Sequence, residues 1–117
     1  LKPVCVVVVD AGGHPIAFAR QDGGSFHRFA IASAKAAGAL AMGISSRAIA
    51  EMAEQRPTFV NAAGSLAQYG ILPAAGGIII VDAERAPIGA VGVTGDTSDN
   101  DEICALHAIE FAGLLAQ

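Results

Sequence analysis

Charge, aromatic rings and cysteine are all scarce in this chain. Asp, Glu, Lys and Arg together make up 15% of its 117 residues, against about 25% in ordinary globular chains. The net charge is −4, no basic run occurs, aromatic residues are 5% and tryptophan is missing. Nucleic-acid binding needs a basic stripe or a stacking platform, and the chain has neither. Its two cysteines, Cys5 and Cys104, lack C-x-x-C spacing; they read as small buried hydrophobes and give no disulfide framework. No apolar stretch of about 18 residues is free of charge. The best candidate, residues 29–44, is too short and contains Lys35, so no membrane span is expected. Neither H-x-x-x-H nor H-E-x-x-H appears, which argues against a dedicated zinc site, and no G-x-S-x-G or Cys–His spacing marks a hydrolase.

What fills the space is small and apolar. Hydrophobic residues are 53% of the chain and alanine alone is about a fifth of it. A chain of this length is one domain, residues 1–117, and buries enough surface for a core without disulfides or metal. Small apolar residues beyond the needs of one core point to a subunit interface, so a homo-oligomer is expected. The reading is a cytoplasmic protein, with a start at Leu1 that leaves room for a removed leader.

One pattern occurs twice. Val9-Asp10-Ala11, three residues, then Pro15-Ile16-Ala17 returns as Val81-Asp82-Ala83, three residues, then Pro87-Ile88-Gly89. Each copy follows a β-branched run. A run of that kind, Asp-rich turn chemistry and a second apolar run spell a β-hairpin. The spacing predicts strands over 4–9 and 16–20, and again over 77–81 and 87–93. Between them, Ser25 is the expected N-cap of a helix over 26–42 ended by Gly43; Ser45 or Ser46 caps a second helix that runs to residue 55 and is closed by Pro57. Residues 58–75 look irregular, with a short edge strand over 69–72. A final helix follows the loop at 94–98, with Asp99 and Glu102 at capping-box spacing. Cys104, Ala108, Phe111 and Leu115 share one of its faces, and Leu106, Ile109 and Gly113 another, with His107 and Glu110 on a narrow polar strip. The fold class is therefore α+β, an antiparallel sheet of four to five strands with helices packed on it.

Two polar clusters stand at strand–helix junctions. In the first, residues 94–102, Thr94, Asp101 or Glu102 can line a pocket, although carboxylates there also simply answer the helix dipole. In the second, residues 23–28, glycines lead into a helix start where free amides, His27 and Arg28 favour an anion such as a carboxylate. Lys35, alone in an alanine-rich helix, is either a snorkelling surface lysine or one aimed at an anionic ligand or a neighbouring subunit's carboxylate. His14 sits in a turn and reads as solvent-exposed. Glu51 and Glu54 form an E-x-x-E that Arg47, four residues before Glu51, explains as a solvated face.

These residues resemble a family. Val9-Asp10-Ala11-Gly12-Gly13 with Arg20-Gln21-Asp22-Gly23, then Ala32-Ser33-Ala34-Lys35-Ala36, Gly76-Gly77-Ile78, Ile88 to Gly95 and Asp101-Glu102 are similar in order and spacing to GlcG/HbpS-like proteins. That family is described as haem-binding or haem-degrading and also forms the C-terminal domain of PduO-type corrinoid adenosyltransferases. The resemblance implies a profilin-like fold, assembly into dimers or larger rings, haem as a cofactor, and Lys35, Gly76, Gly77, Thr94, Gly95, Asp101 and Glu102 as family-typical positions. The chain departs from the family in lacking a helix before the first strand, in Ile79 after the double glycine, and in His27.

Two functions follow. In one, the oligomer binds a small anionic ligand, haem being the implied candidate, with His27 or His107 on the iron and Lys35 or Arg28 on a propionate. In the other, an enzyme turns over a small hydroxy or oxo acid, with Asp101 or Glu102 carrying the proton and Lys35 and Arg28 orienting the carboxylate. In either case the expected pocket lies between subunits, edged by residues 23–28 and 94–102, with Lys35 reaching across.

Overall fold

The computed structural model describes residues 2–117. In chain order the elements are β1 (Cys5–Asp10), β2 (Pro15–Arg20), α1 (Arg28–Met42), α2 (Ser46–Gln55), α3 (Pro57–Leu66), β3 (Gly77–Val81), β4 (Pro87–Thr94), α4 (Ser98–Phe111) and β5 (Leu115–Ala116). The strands form one antiparallel sheet in the order β2-β1-β4-β3-β5.

Both hairpins close by the same device. Asp10 accepts the amides of Gly12 and His14 on Oδ1 at 2.9 and 3.1 Å, and Asp82 accepts those of Glu84 and Ala86 at 2.9 Å each. Each carboxylate thus satisfies turn donors that no strand reaches. The two hairpins join through β1 and β4, with Val7 opposite Gly92.

Side chains alternate across the pleat and so feed two cores. On one face Val7, Val9, Ala90, Ile79 and Val81 pack against Ala32, Ala36 and Ala39 of α1. On the other, Ile78, Ile80, Val91 and Val93 pack against Ala105 and Ile109 of α4. Alanine is common on α1 because the helix lies almost on the sheet backbone. A Cβ added at Gly92 would collide with Ala32 O, and one at Gly77 with Lys35 O.

The connections and helix ends differ from the sequence expectation. Residues 57–66 are helical: Pro57 does not merely close α2 but opens α3 near its first position, where a missing N–H costs nothing. Residues 69–72 form no strand, since Gly70 turns with φ 81°, and the outer partner of β3 is instead Leu115–Ala116. That pairing removes Leu115 from the α4 face assigned to it. Helix α1 starts at Arg28 with His27, not Ser25, as its N-cap, and α4 is capped by the Thr97 side chain, which accepts the Asn100 amide at 3.2 Å, rather than by Asp99.

Coverage of the sheet is uneven. Helix α4 packs on β3, β4 and β5. On that same face β1 and β2 carry only Val4, Val6, Val8, Ala17 and Ala19, half-buried or exposed. Among the described residues no single helix is long and apolar enough to cross a membrane.

Candidate functional site

The family-typical positions converge at one end of β4, where Lys35 of α1 meets Asp101 in the first turn of α4. Lys35 is 3% and Asp101 1% exposed. Lys35 Nζ donates to Asp101 Oδ2 at 3.1 Å and to the carbonyl of Val93 at 3.0 Å. The second carboxylate oxygen, Asp101 Oδ1, accepts the amide of Asp96 at 3.0 Å. The lysine therefore does not reach towards another subunit: its charge is answered within the chain. Breaking such a pair from one side is expensive because the remaining charge stays buried.

The glycines around it make room. At Gly76, φ is 129° and an added Cβ would stand 2.5 Å from Val93 O and 2.9 Å from Lys35 Nζ. Ser46 Oγ accepts the Gly77 amide at 2.7 Å, tying the start of β3 to α2. Gly95, with φ 141°, faces the carbonyl of Pro3. Thr94 is buried and accepts from Arg28 Nη1 at 3.2 Å. Lys35, Asp101, Thr94, Gly76, Gly77 and Gly95 are thus brought together, but as a packed knot.

Glu102 belongs to an outer layer of the knot. Arg47 Nε donates to its two oxygens at 3.0 and 3.1 Å, and Arg47 Nη2 donates to Asp99 at 2.6 Å. The Asp99 contact first, and then Glu102, hold the guanidinium above even its usual high pKa. Helical spacing pairs Arg47 with Glu51, but both of its bridges go to α4 instead. Asp96 nearby is held below the usual carboxylate range, chiefly by the hydrogen bond from the Thr97 amide. Burial pushes the Cys5 thiol up, against smaller opposing effects of Arg20 and Arg28.

The histidines stand elsewhere. His27 is exposed at the start of α1. His14 Nδ1 lies 3.5 Å from the Tyr69 hydroxyl, beside a cavity of about 180 Å³ between the β1–β2 turn and the α3–β3 connection. On α4, the ring of His107 stacks on that of Phe111, with centroids 6.5 Å apart and planes inclined by 24°. Phe111 itself is 87% exposed. Among the described residues no group of three or more His, Cys, Asp or Glu side chains is arranged to hold a metal ion.

Among the described residues, four of the better-formed hollows have none of Lys35, Asp101, His27 or Arg28 in their lining. The most apolar is a trough of about 140 Å³ beside α4, walled by Val6, Val8, Ile80, Val91, Ala108 and Ile109 among others. Ile80 and Val91 form its buried floor beside α4, and the half-buried Val6 and Val8 of β1 its far side. Ala108 and Ile109 line it from α4, and Cys104, one turn before Ala108, packs with Val4, Val6 and Val8 against the same core cluster. Helical spacing alone puts Cys104 and Ala108 on one face; only the fold shows that the half-buried side of β1 lies beside them.

A five-stranded antiparallel sheet with α1 on one face and α4 on the other is the α+β architecture expected for a profilin-like domain. The model of the family described as haem degrading protein HbpS-like matches residues 1–110, and the chain belongs to that family. Among solved structures, HbpS is 30% identical, with 93% of this chain and 73% of that one covered and a TM-score of 0.79. ORFY of Klebsiella pneumoniae is 26% identical, with 97% and 77% covered and a TM-score of 0.81. A PduOC–haem complex is 22% identical, covers 99% and 83%, and has a TM-score of 0.87, a likeness of fold. A comparison with curated proteins gives no match.

Proposed function

We propose that the chain is a haem-binding protein acting as a homo-oligomer, and that haem lies in the trough between α4 and the bare half of the sheet. The apolar trough carries this reading. A porphyrin needs flat apolar walls and an axial ligand, and the aliphatic floor supplies the first. His107, next in the chain to the trough-lining Ala108 and stacked on exposed Phe111, is the candidate for the second. His27 sits at the start of α1, which packs on the opposite face of the sheet, and is not placed for this ligand. Bound haem supplies an iron centre able to take a small ligand or exchange an electron; the residues around it orient the ring and exclude water.

Size supports the oligomer. A cavity of about 140 Å³ is well below the roughly 300–1,000 Å³ of sites that enclose a drug-sized ligand. One chain thus provides one wall, and a second copy closes the site. The alternative, acid–base turnover of a small organic acid, finds no supporting geometry: Lys35 and Asp101 are spent on each other, and Glu102 on Arg47.

Haemin titration tests the proposal. The expected result is a saturable Soret shift that moves or weakens in His107→Ala and persists in His27→Ala. A spectrum no different from haemin in buffer rejects it.

A further inference from the structure

We propose that two copies of this chain join through β2, edge to edge and antiparallel, so that the two half-troughs become one flat-floored site. This rests on the reading that the chain self-associates, and adds the surface and the register.

The sheet has two edges. One is guarded by β5, which is only two residues long. The other is β2, six residues running PIAFAR, of which five are exposed and one half-buried. Natural edges are blunted by charge, proline or a bulge. Here Pro15 and the irregularity opposite Val8 and Val9 protect only the turn end. Residues 17–19 carry no charge and no proline.

The backbone fixes which groups are free. The Gln21 amide donates to the carbonyl of Val4 at 3.0 Å. Along an antiparallel pair the inward- and outward-pointing residues alternate. Ala19 and Ala17 therefore bond to β1, and the N–H and C=O of Phe18 and Arg20 point away from the sheet. A two-fold axis at Phe18 lets Phe18 exchange both hydrogen bonds with its own copy. Arg20, the only charge on the strand, then falls opposite Ile16 of the partner subunit, so no like charges meet. Such a patch is self-complementary, as a two-fold interface requires.

Side chains add to the ladder on both faces. On the α1 side, Phe18 stacks edge-on against Phe29 at 5.0 Å, yet the two remain 45% and 39% exposed, and nearby Phe26 is 85% exposed. Pairing gives these rings a partner surface. On the α4 side, Ala17 and Ala19 of both copies extend the floor of Val6 and Val8. The order β1-β2-β2-β1 then runs unbroken between two α4 helices, each bearing a His107.

Two tests read the register. In a Cys104→Ser background, Phe18→Cys is expected to give a disulfide-linked dimer under mild oxidation, because directly opposed hydrogen-bonded residues have Cα atoms about 5.5 Å apart. Leu66→Cys, on exposed α3, is expected to give none. Because Phe18→Cys removes a packed ring, a second pair of variants uses the exposed alanines. Ala17→Lys/Ala19→Lys sets like charges opposite each other and is expected to be monomeric by light scattering, whereas Ala17→Lys/Ala19→Glu sets opposite charges across the axis and is expected to remain dimeric. A parent protein that is monomeric rejects self-association altogether. An oligomeric parent whose two alanine variants assemble alike, or in which Leu66→Cys cross-links as readily as Phe18→Cys, rejects the β2 edge alone.

Discussion

Removing Lys35 is expected to cost this protein a large part of its stability, and removing its partner with it is expected to give much of that back. Both side chains are 3% exposed or less. Lys35→Ala leaves the Asp101 carboxylate buried with one oxygen unanswered; Asp101→Ala leaves the ammonium with only the Val93 carbonyl and frees the Asp96 amide. Losing one partner of a buried pair costs about 3–5 kcal/mol, out of roughly 5–15 kcal/mol for a whole domain. At about 4 °C per kcal/mol for a chain of this length, either single variant should melt roughly 12–20 °C below the parent. In Lys35→Met/Asp101→Leu no charge is buried, and the chief remaining losses are the partners of the Asp96 amide and the Val93 carbonyl, about 1 kcal/mol each. Chemical denaturation of the parent, Lys35→Met, Asp101→Leu and the double variant, whose single substitutions leave the same lone charges buried, completes the cycle. Single variants within 1 kcal/mol of the parent, or a double variant as unstable as the two losses summed, would refute the reasoning, the first by showing that the pair is hydrated and the second that it is uncoupled.

Other outcomes follow from the same geometry. Gly92→Ala should lower the denaturation midpoint by the equivalent of about 1–3 kcal/mol, the usual cost of overpacking, because its methyl group would press on the Ala32 carbonyl; an unchanged midpoint would mean that α1 can lift off the sheet cheaply. Only one thiol, Cys104, should react with a disulfide reagent in the native protein, since Cys5 is fully buried and burial raises its pKa; two equally fast thiols would contradict the packing of β1. The Asp96 carboxyl lies below its ordinary value of 3.8 in the folded chain. A depressed carboxylate stabilises above the unfolded pKa, and that contribution is lost as pH falls through the folded one. Asp96→Asn should therefore be less stable than the parent at neutral pH and converge with it in acid, and a gap that widens in acid would reverse the assignment.

The two hairpins were legible because their cause is local. Asp10 and Asp82 each tie a turn that depends on a few neighbouring residues. Helix α3 was not, because Pro57 reads equally as the end of one helix and the first turn of the next, and only the fold decides. The knot was half legible: Lys35, Asp101 and the glycines stood out by type and by resemblance, but the pairing of Lys35 with Asp101 within one chain depends on both helices meeting the same end of β4 from opposite faces of the sheet. Nothing in the spacing of Arg47 set Asp99 and Glu102 above the nearer Glu51. The trough was hidden for the opposite reason. Among the described residues no helix packs over β1 and β2 on the α4 face of the sheet, and Val6, Val8, Ala17 and Ala19 look like any alternating strand until the opposite layer is known.

Titrating haemin into the parent protein beside Ala108→Glu is the most direct test of the trough. Ala108 is exposed and lines the trough, so the substitution leaves the fold intact while placing a carboxylate against the porphyrin face. The account predicts a saturable Soret shift in the parent and at least a tenfold weaker one in the variant, about 1.4 kcal/mol. Equal binding by the two proteins would contradict it and move the site away from α4.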